Sequence, residues 1–454
     1  MSDELRSAVA SLMGRAKSDL GELVAFRSVA NPDVEPPQEC AKAAQWVVNA
    51  FTEVGLQDVT ASETIDGSKA VHGIAHGPQG SPTVLLYCHY DVQPALSSDD
   101  WQTPAWELTE KDGRWYGRGS ADCKGNIVMH LTTLRALQQV DGSWPCTIKV
   151  ISEGSEEQGT GGLDAFVVDN PDLLRADAIC IADSGNCAVG VPTLSTSLRG
   201  MILVDLKLEA LASVLHSGMF GGAAPDPLIG LIEVLASLHD AAGNTTVDGI
   251  DNSERWSGAD YEDQQFRADA QVLDGVEIVG DGSVAEMLWV RPSVTVLGID
   301  VPKIAESAAS IYTSVSARVS LRIQPGLNVA DSREKLTEHM LSRVPWGLKA
   351  TITDVAGGEP FMGSLDGPAF DAMKAAMGEA FGREMTTTGV GASIPLCSVL
   401  TETFPEAEIM LYGVEEPKSQ IHAPNESVDP SEIENFALTQ ALFLKLFAAS
   451  KSDR

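Results

Sequence analysis

The sequence predicts an α/β catalytic domain, a mostly parallel sheet with helices on both faces, carrying an inserted smaller α+β domain. Three observations predict it. Short runs such as Thr83-Val84-Leu85-Leu86-Tyr87-Cys88 are apolar on both faces, as strands are inside a parallel sheet covered by helices. Stretches with apolar residues three and four apart fill the gaps between these runs, and strand-helix alternation is the mark of an α/β sheet. Between about 192 and 359 the texture changes to strand candidates with one polar face.

In chain order, Glu4 to Phe26 and Cys40 to Phe51 have helical spacing, followed by the strand at 83–88. A helix is predicted from Ile127 to Gln139, then strands at Thr147–Ile151 and Ala178–Ala182. In the insert, Leu203–Leu208 and Ser316–Ile323 alternate apolar with polar, which suits a smaller antiparallel sheet. Leu228, Leu231, Ile232, Leu235 and Leu238 mark a helix that starts just after the Asp226-Pro227 pair. Asn244–Gly282 is rich in Asp, Gly and Ser with little periodicity and reads as long loops. The last sheet strand is Glu408–Tyr412. The predicted domains are therefore 1–192 with 360–454, and an inserted 193–359.

Composition narrows the function. With 31 Lys+Arg against 64 Asp+Glu, the formal charge of -33 repels nucleic-acid phosphates and anionic lipid heads. The N-terminus lacks the basic and apolar regions of a secretory signal, and no apolar stretch approaches the roughly 20 residues of a membrane span. A cytoplasmic protein is expected, with no nucleic-acid or membrane partner. Its 7 cysteines are scattered without C-x-x-C spacing, so neither a disulfide framework nor a thiolate zinc site is indicated. No G-x-S-x-G elbow, Walker loop or H-E-x-x-H helix is present.

The residues that carry chemistry lie where predicted strands end, the edge at which open α/β sheets build their sites. His89 follows the first strand, and Asp91 is close enough to take its second ring N–H. Asp122 lies in the glycine-rich turn GRGSADCKGN, where backbone freedom lets a carboxylate reach a cleft. Glu156 and Glu157 follow the strand TIKVI; the side chains of adjacent acids diverge, so one can bind a metal while the other reaches a water. Asp183 follows AICIA and His422 follows EIMLY. Singly these read as a core histidine, a helix cap, a solvated turn. Together, two His and several carboxylates at one sheet edge match the ligand chemistry of zinc, cobalt or manganese.

The stretches CHYDVQP, WELTEKDGRWYGRGSADCKGN, SEGSEEQGTGG, IADS, VLHSGMFGG, GASIP and QIHAPNES, in this order, resemble the dinuclear zinc metallopeptidases. That family includes carnosinase-like dipeptidases, aminoacylase, acetylornithine deacetylase and succinyl-diaminopimelate desuccinylase, and WQTPAWELTEKDGRWYGRG is closest to the carnosinase-like form. The resemblance implies two divalent ions, zinc first, with manganese or cobalt as alternatives. It puts His89 and Asp183 on one ion, Glu157 and His422 on the other, and Asp122 bridging both. Asp91 is then the clamp on His89, and Glu156 the general base for a water shared by the ions. His216 would serve the partner's site in a homodimer formed through the insert, which also acts as a lid. Arg322 and the turn Gly391-Ala392-Ser393 are implied holders of a substrate carboxylate. Many relatives have a second acid where this chain has Cys123. His72, His76, His130, His239 and His339 match no motif. The expected function is hydrolysis of the amide bond of dipeptides or similar small peptides. The alternatives are a deacylase of N-acyl amino acids on the same site, and a catalytically silent binding module, against which Glu156 beside Glu157 argues.

Overall fold

The computed structural model describes residues 2–363, 365–391 and 394–452. They divide into two compact units, one of Met1–Thr196, Gly363–Thr388 and Pro395–Arg454, the other of Ser197–Met362 and Gly389–Ile394.

At the centre of the first unit four strands run parallel, in the order Thr147–Glu153, Thr83–His89, Ala178–Ala182 and Glu408–Tyr412. Thr83–His89 and Ala178–Ala182, the inner two, are buried almost throughout because they are covered on both sides. Val84, Leu86 and Cys88 join the main core with Ala178 and Cys180. The alternate residues Leu85, Tyr87, Ile179 and Ile181 are equally buried. One helical layer is formed by Ser2–Ala25, Lys124–Asp141, Pro368–Phe381 and Pro430–Ser452, which contact one another; Gly162–Asp169 and Pro395–Thr403 pair separately. Antiparallel strands Lys69–Ala75 and Gln57–Glu63 extend one side of the sheet, and Thr193–Leu198 the other. Neither of the first two was legible as a strand.

In the second unit, four antiparallel strands lie in the order Ser293–Asp300, Ser314–Ile323, Gly200–Glu209, Lys349–Gly358. Ile202, Val204, Leu206 and Leu208 point to one face and are buried with Leu231, Val234 and Leu336 of the helices Pro227–Ala236 and Val329–Ser342. Asp205 and Lys207 lie on the other, wetter face. Asp226 caps the first helix by accepting the Leu228 N–H at 2.9 Å, with Pro227 at the first helical position. Such a cap contributes about 1 kcal/mol. The Asn244–Gly282 stretch is irregular apart from one short helix, Asp263–Asp269. Among the described residues, no helix is long and apolar enough to cross a membrane.

Candidate metal centre

Seven of the residues singled out from sequence meet in the first unit, at the carboxyl ends of its parallel strands. His89 ends the Thr83–His89 strand and is fully buried. Its Nδ1–H donates to the Asp91 carbonyl at 3.1 Å, which leaves the Nε2 lone pair free to bind a cation. Nε2 lies 3.1 Å from Asp122 Oδ1 and 3.2 Å from Asp183 Oδ1. On the other side of Asp122, Oδ2 is 2.9 Å from His422 Nε2, which is 3.1 Å from Glu157 Oε2. Asp122 is thus shared, one oxygen to each histidine.

The sequence led us to expect that the Asp91 carboxylate would take the His89 N–H. The backbone carbonyl does so, and the carboxylate oxygen stands 3.4 Å away. That buried carboxylate instead accepts the N–H of Glu156 at 3.2 Å and of Glu157 at 3.0 Å. Asp91 therefore orients a histidine on one side and both glutamates on the other. Gln93 adds N–H and side-chain amide bonds to the Glu157 carboxylate at 3.1 and 2.8 Å. Behind the same loop, Asp66 accepts from Ser155 Oγ at 2.7 Å and from Thr160.

A second difference concerns the Asp122 turn. Its glycines suggested a loose segment, but Glu426 holds it rigidly. The buried Glu426 carboxylate accepts the N–H groups of Gly119, Ala121 and Asp122 at 2.9, 3.0 and 3.1 Å, and pairs with Arg118 Nη1 at 2.7 Å. Glycine is needed instead for close approach: a Cβ on Gly125 would lie 2.3 Å from the Ser120 carbonyl oxygen. Glu426 stands four residues after His422, so one acid links the loops of two candidate ligands. Glu426→Ala would leave the buried Arg118 charge without its carboxylate and three N–H groups unpaired, and should cost about 3–5 kcal/mol of stability, read by denaturant unfolding. Unchanged stability would contradict the clamp.

The electrostatics suit cations. The Asp122 and Glu157 carboxylates push His422 up to about 10, despite its partial burial. Burial, with Asp183 nearby, pushes the Glu156 carboxyl up to about 9. Two ligands on a tetrahedral zinc, each about 2.0–2.1 Å from it, are about 3.3 Å apart. The N···O spacings of 2.9–3.2 Å come close to that edge. Two groups, His89 with Asp183 and Asp122 with Glu157 and His422, are each compact enough for one ion. Cys123 Sγ also lies beside His89 and Asp183, but its S–H donates to the Ala182 carbonyl at 3.0 Å and burial raises the thiol well above its ordinary value. A thiol held protonated is a poor ligand.

The remaining predicted residues belong to the second unit. Exposed His216 opens the short helix Ser217–Phe220, its Nδ1 accepting the Gly218 N–H at 3.1 Å. Arg322 is half-buried on the Ser314–Ile323 strand. Arg199, which sequence reasoning missed, is buried near it; desolvation and the Arg322 charge lower its guanidinium to about 10. Arg199 Nε donates to the Gly391 carbonyl at 3.3 Å. Arg199 Nη1 also donates to the Met287 and Arg291 carbonyls at 3.2 Å and to Ser293 Oγ at 3.0 Å. Ala392 and Ser393 lie outside the described residues.

A sequence model of peptidase family M20/M25/M40 matches residues 85–446. The cysteinylglycine-S-conjugate dipeptidase of Corynebacterium striatum is 42% identical over 407 residues, covering 89% of each chain. In fold, the dipeptidase Dug1p of Saccharomyces cerevisiae matches with a TM-score of 0.81 at 22% identity, over 99% of both chains. Human carnosine dipeptidase 1 matches at 0.80 and 24% identity, over 98% of both.

Proposed function

The chain belongs to peptidase family M20/M25/M40, and from that premise we infer that it is a metal-dependent hydrolase of the amide bond in dipeptides and similarly small peptides. The observation that carries this reading is Asp122, with one oxygen toward His89 and the other toward His422. That is the arrangement two divalent ions need when they share a carboxylate. Zinc is the first candidate, with manganese and cobalt behind it, because imidazole and carboxylate ligands suit all three. His89 and Asp183 would hold one ion, Glu157 and His422 the other, and Asp122 both.

Bound there, such ions polarise a carbonyl and bring the pKa of a water toward neutrality. Glu156 takes the proton of the attacking water and returns it to the departing amine. Burial and then the Asp183 charge raise its carboxyl, and cations bound beside it would lower it again toward the range in which one group both accepts and donates a proton. Asp91 keeps His89 in the ligating tautomer and fixes both glutamates. Arg322, with Arg199 and the Gly391-Ala392-Ser393 turn, holds the substrate carboxylate. We assign the inserted unit as lid and dimer interface. Exposed Leu297, Ile299 and Val301, along and just beyond the Ser293–Asp300 edge strand, support a homodimer, with His216 serving the partner's site. All seven cysteines are free, which favours the cytoplasm.

Chelation should abolish hydrolysis, and zinc, cobalt or manganese should restore it, on a panel of dipeptides, their C-terminal amides, N-acetyl amino acids and a folded protein. Short substrates with a free carboxylate should dominate, since a longer chain or a C-terminal amide would not bring its charge to the guanidiniums. Full activity in metal-free protein would sink the reading. Faster turnover of N-acetyl amino acids than of any dipeptide would replace it with a deacylase.

A further inference from the structure

One acid beside the centre is neither among the five candidate ligands nor Asp91 or Glu156. Glu415 stands three residues after the Glu408–Tyr412 strand, and its backbone is tied to the loop that carries Asp183. Asn186 N–H donates to the Glu415 carbonyl at 2.9 Å, and Gly185 forms a parallel bridge with it. Only glycine allows that approach, since a Cβ on residue 185 would lie 2.1 Å from the Glu415 carbonyl oxygen. The result is a third ligand-sized group: oxygens of Asp122, Asp183 and Glu415 all lie within 4.8 Å of one another. Glu415 Oε1 is shut off from solvent and has no hydrogen-bond partner among the described residues. Burying an unsatisfied acceptor is costly, and three carboxylates in one dry space repel. A cation on that side relieves both.

Resting on the two-metal reading above, we propose that Glu415 is a further carboxylate of the metal centre, giving Oε1 to the ion held by His89 and Asp183. The assignment carries an unusual pair of signs. With the ion bound, Glu415 adds attraction. Without it, the carboxylate only adds repulsion to Asp122 and Asp183. Glu415→Gln should therefore weaken ion binding without weakening the metal-free fold, whereas an acid that merely supports the loop would lose stability in both forms.

The test is zinc titration of the chelator-stripped full chain against a chromogenic chelator, with thermal unfolding of the stripped protein, for wild type, Glu415→Gln and Asp183→Asn. Wild type should take up two ions. In both variants the same one of the two binding steps should weaken, by about 10–100-fold for Glu415→Gln, a size typical of partners that tune a metal site. Stripped Glu415→Gln should unfold no earlier than stripped wild type. Failure of wild type to bind zinc would overturn the two-metal reading itself. If wild type binds two ions and Glu415→Gln matches it at both steps, the assignment of Glu415 is wrong. It is equally wrong if the stripped variant misfolds or unfolds earlier, or if the only change is a raised KM for dipeptides with a free amine, which would make Glu415 a partner of the substrate ammonium.

Discussion

Glu156→Gln should lower kcat by about 10²-fold or more, the contribution of a positioned general base, while the protein keeps its fold and both ions. Glu157→Gln should lose metal instead. The two residues are adjacent, but their surroundings separate them. Glu157 sits 3.1 Å from His422 Nε2, with its carboxylate gripped by Gln93, so its place in the ligand group is fixed before any ion arrives. Glu156 is in none of the compact ligand groups among the described residues, yet Asp91 holds its N–H and burial raises its carboxyl. A glutamine at 156 keeps the shape and the backbone bond and cannot take a proton. Metal analysis and steady-state kinetics on both variants decide the matter, and the opposite pattern would exchange the two roles.

The central strands could be read from sequence for the same reason that they are central. Strands covered on both faces are apolar throughout, and Ala178–Ala182 has no exposed residue to blur the pattern. Gln57–Glu63 lies at the edge and is mostly wet, so nothing in its composition separates it from a loop. The candidate ligands were legible because His89 and Asp183 end or directly follow strands, the others lie in the loops near strand ends or helix starts, and their side chains are the chemistry. Their supports were not. Glu426 acts on Asp122 through backbone N–H bonds across 304 residues, and no local spacing records such a bond. Asp66, Gln93 and Arg199 escaped for the same reason: their partners, the Ser155 hydroxyl, the Glu157 carboxylate and the Gly391 carbonyl, are distant in sequence. A loop rich in glycine looks flexible in sequence, and only the buried acid from near the other end of the chain shows that it is held.

A randomly paired mixture of His216→Ala and Glu156→Ala chains should recover about a quarter of wild-type activity, although each variant alone is nearly inactive. The motive is the setting of His216. It is exposed in a segment that also exposes Val214, Met219 and Phe220, an apolar neighbourhood unusual for a free surface and suited to a partner. It is a short imidazole donor on the inserted unit, distant in sequence from every candidate ligand. A donor to the developing oxyanion is worth roughly 10²–10³-fold in turnover, so its loss is easily seen. In a mixed dimer, the site that keeps Glu156 faces the chain that keeps His216 and is complete; the other site lacks both. Random pairing makes half of the dimers mixed, each with one working site of two, which gives the quarter. The chains must be co-expressed or allowed to exchange, and the mixed species isolated by two different affinity tags. The isolated mixed dimer should then show about half of wild-type activity, since one of its two sites is whole. If that species stays inactive while each variant binds metal as wild type does, His216 does not serve the neighbouring site.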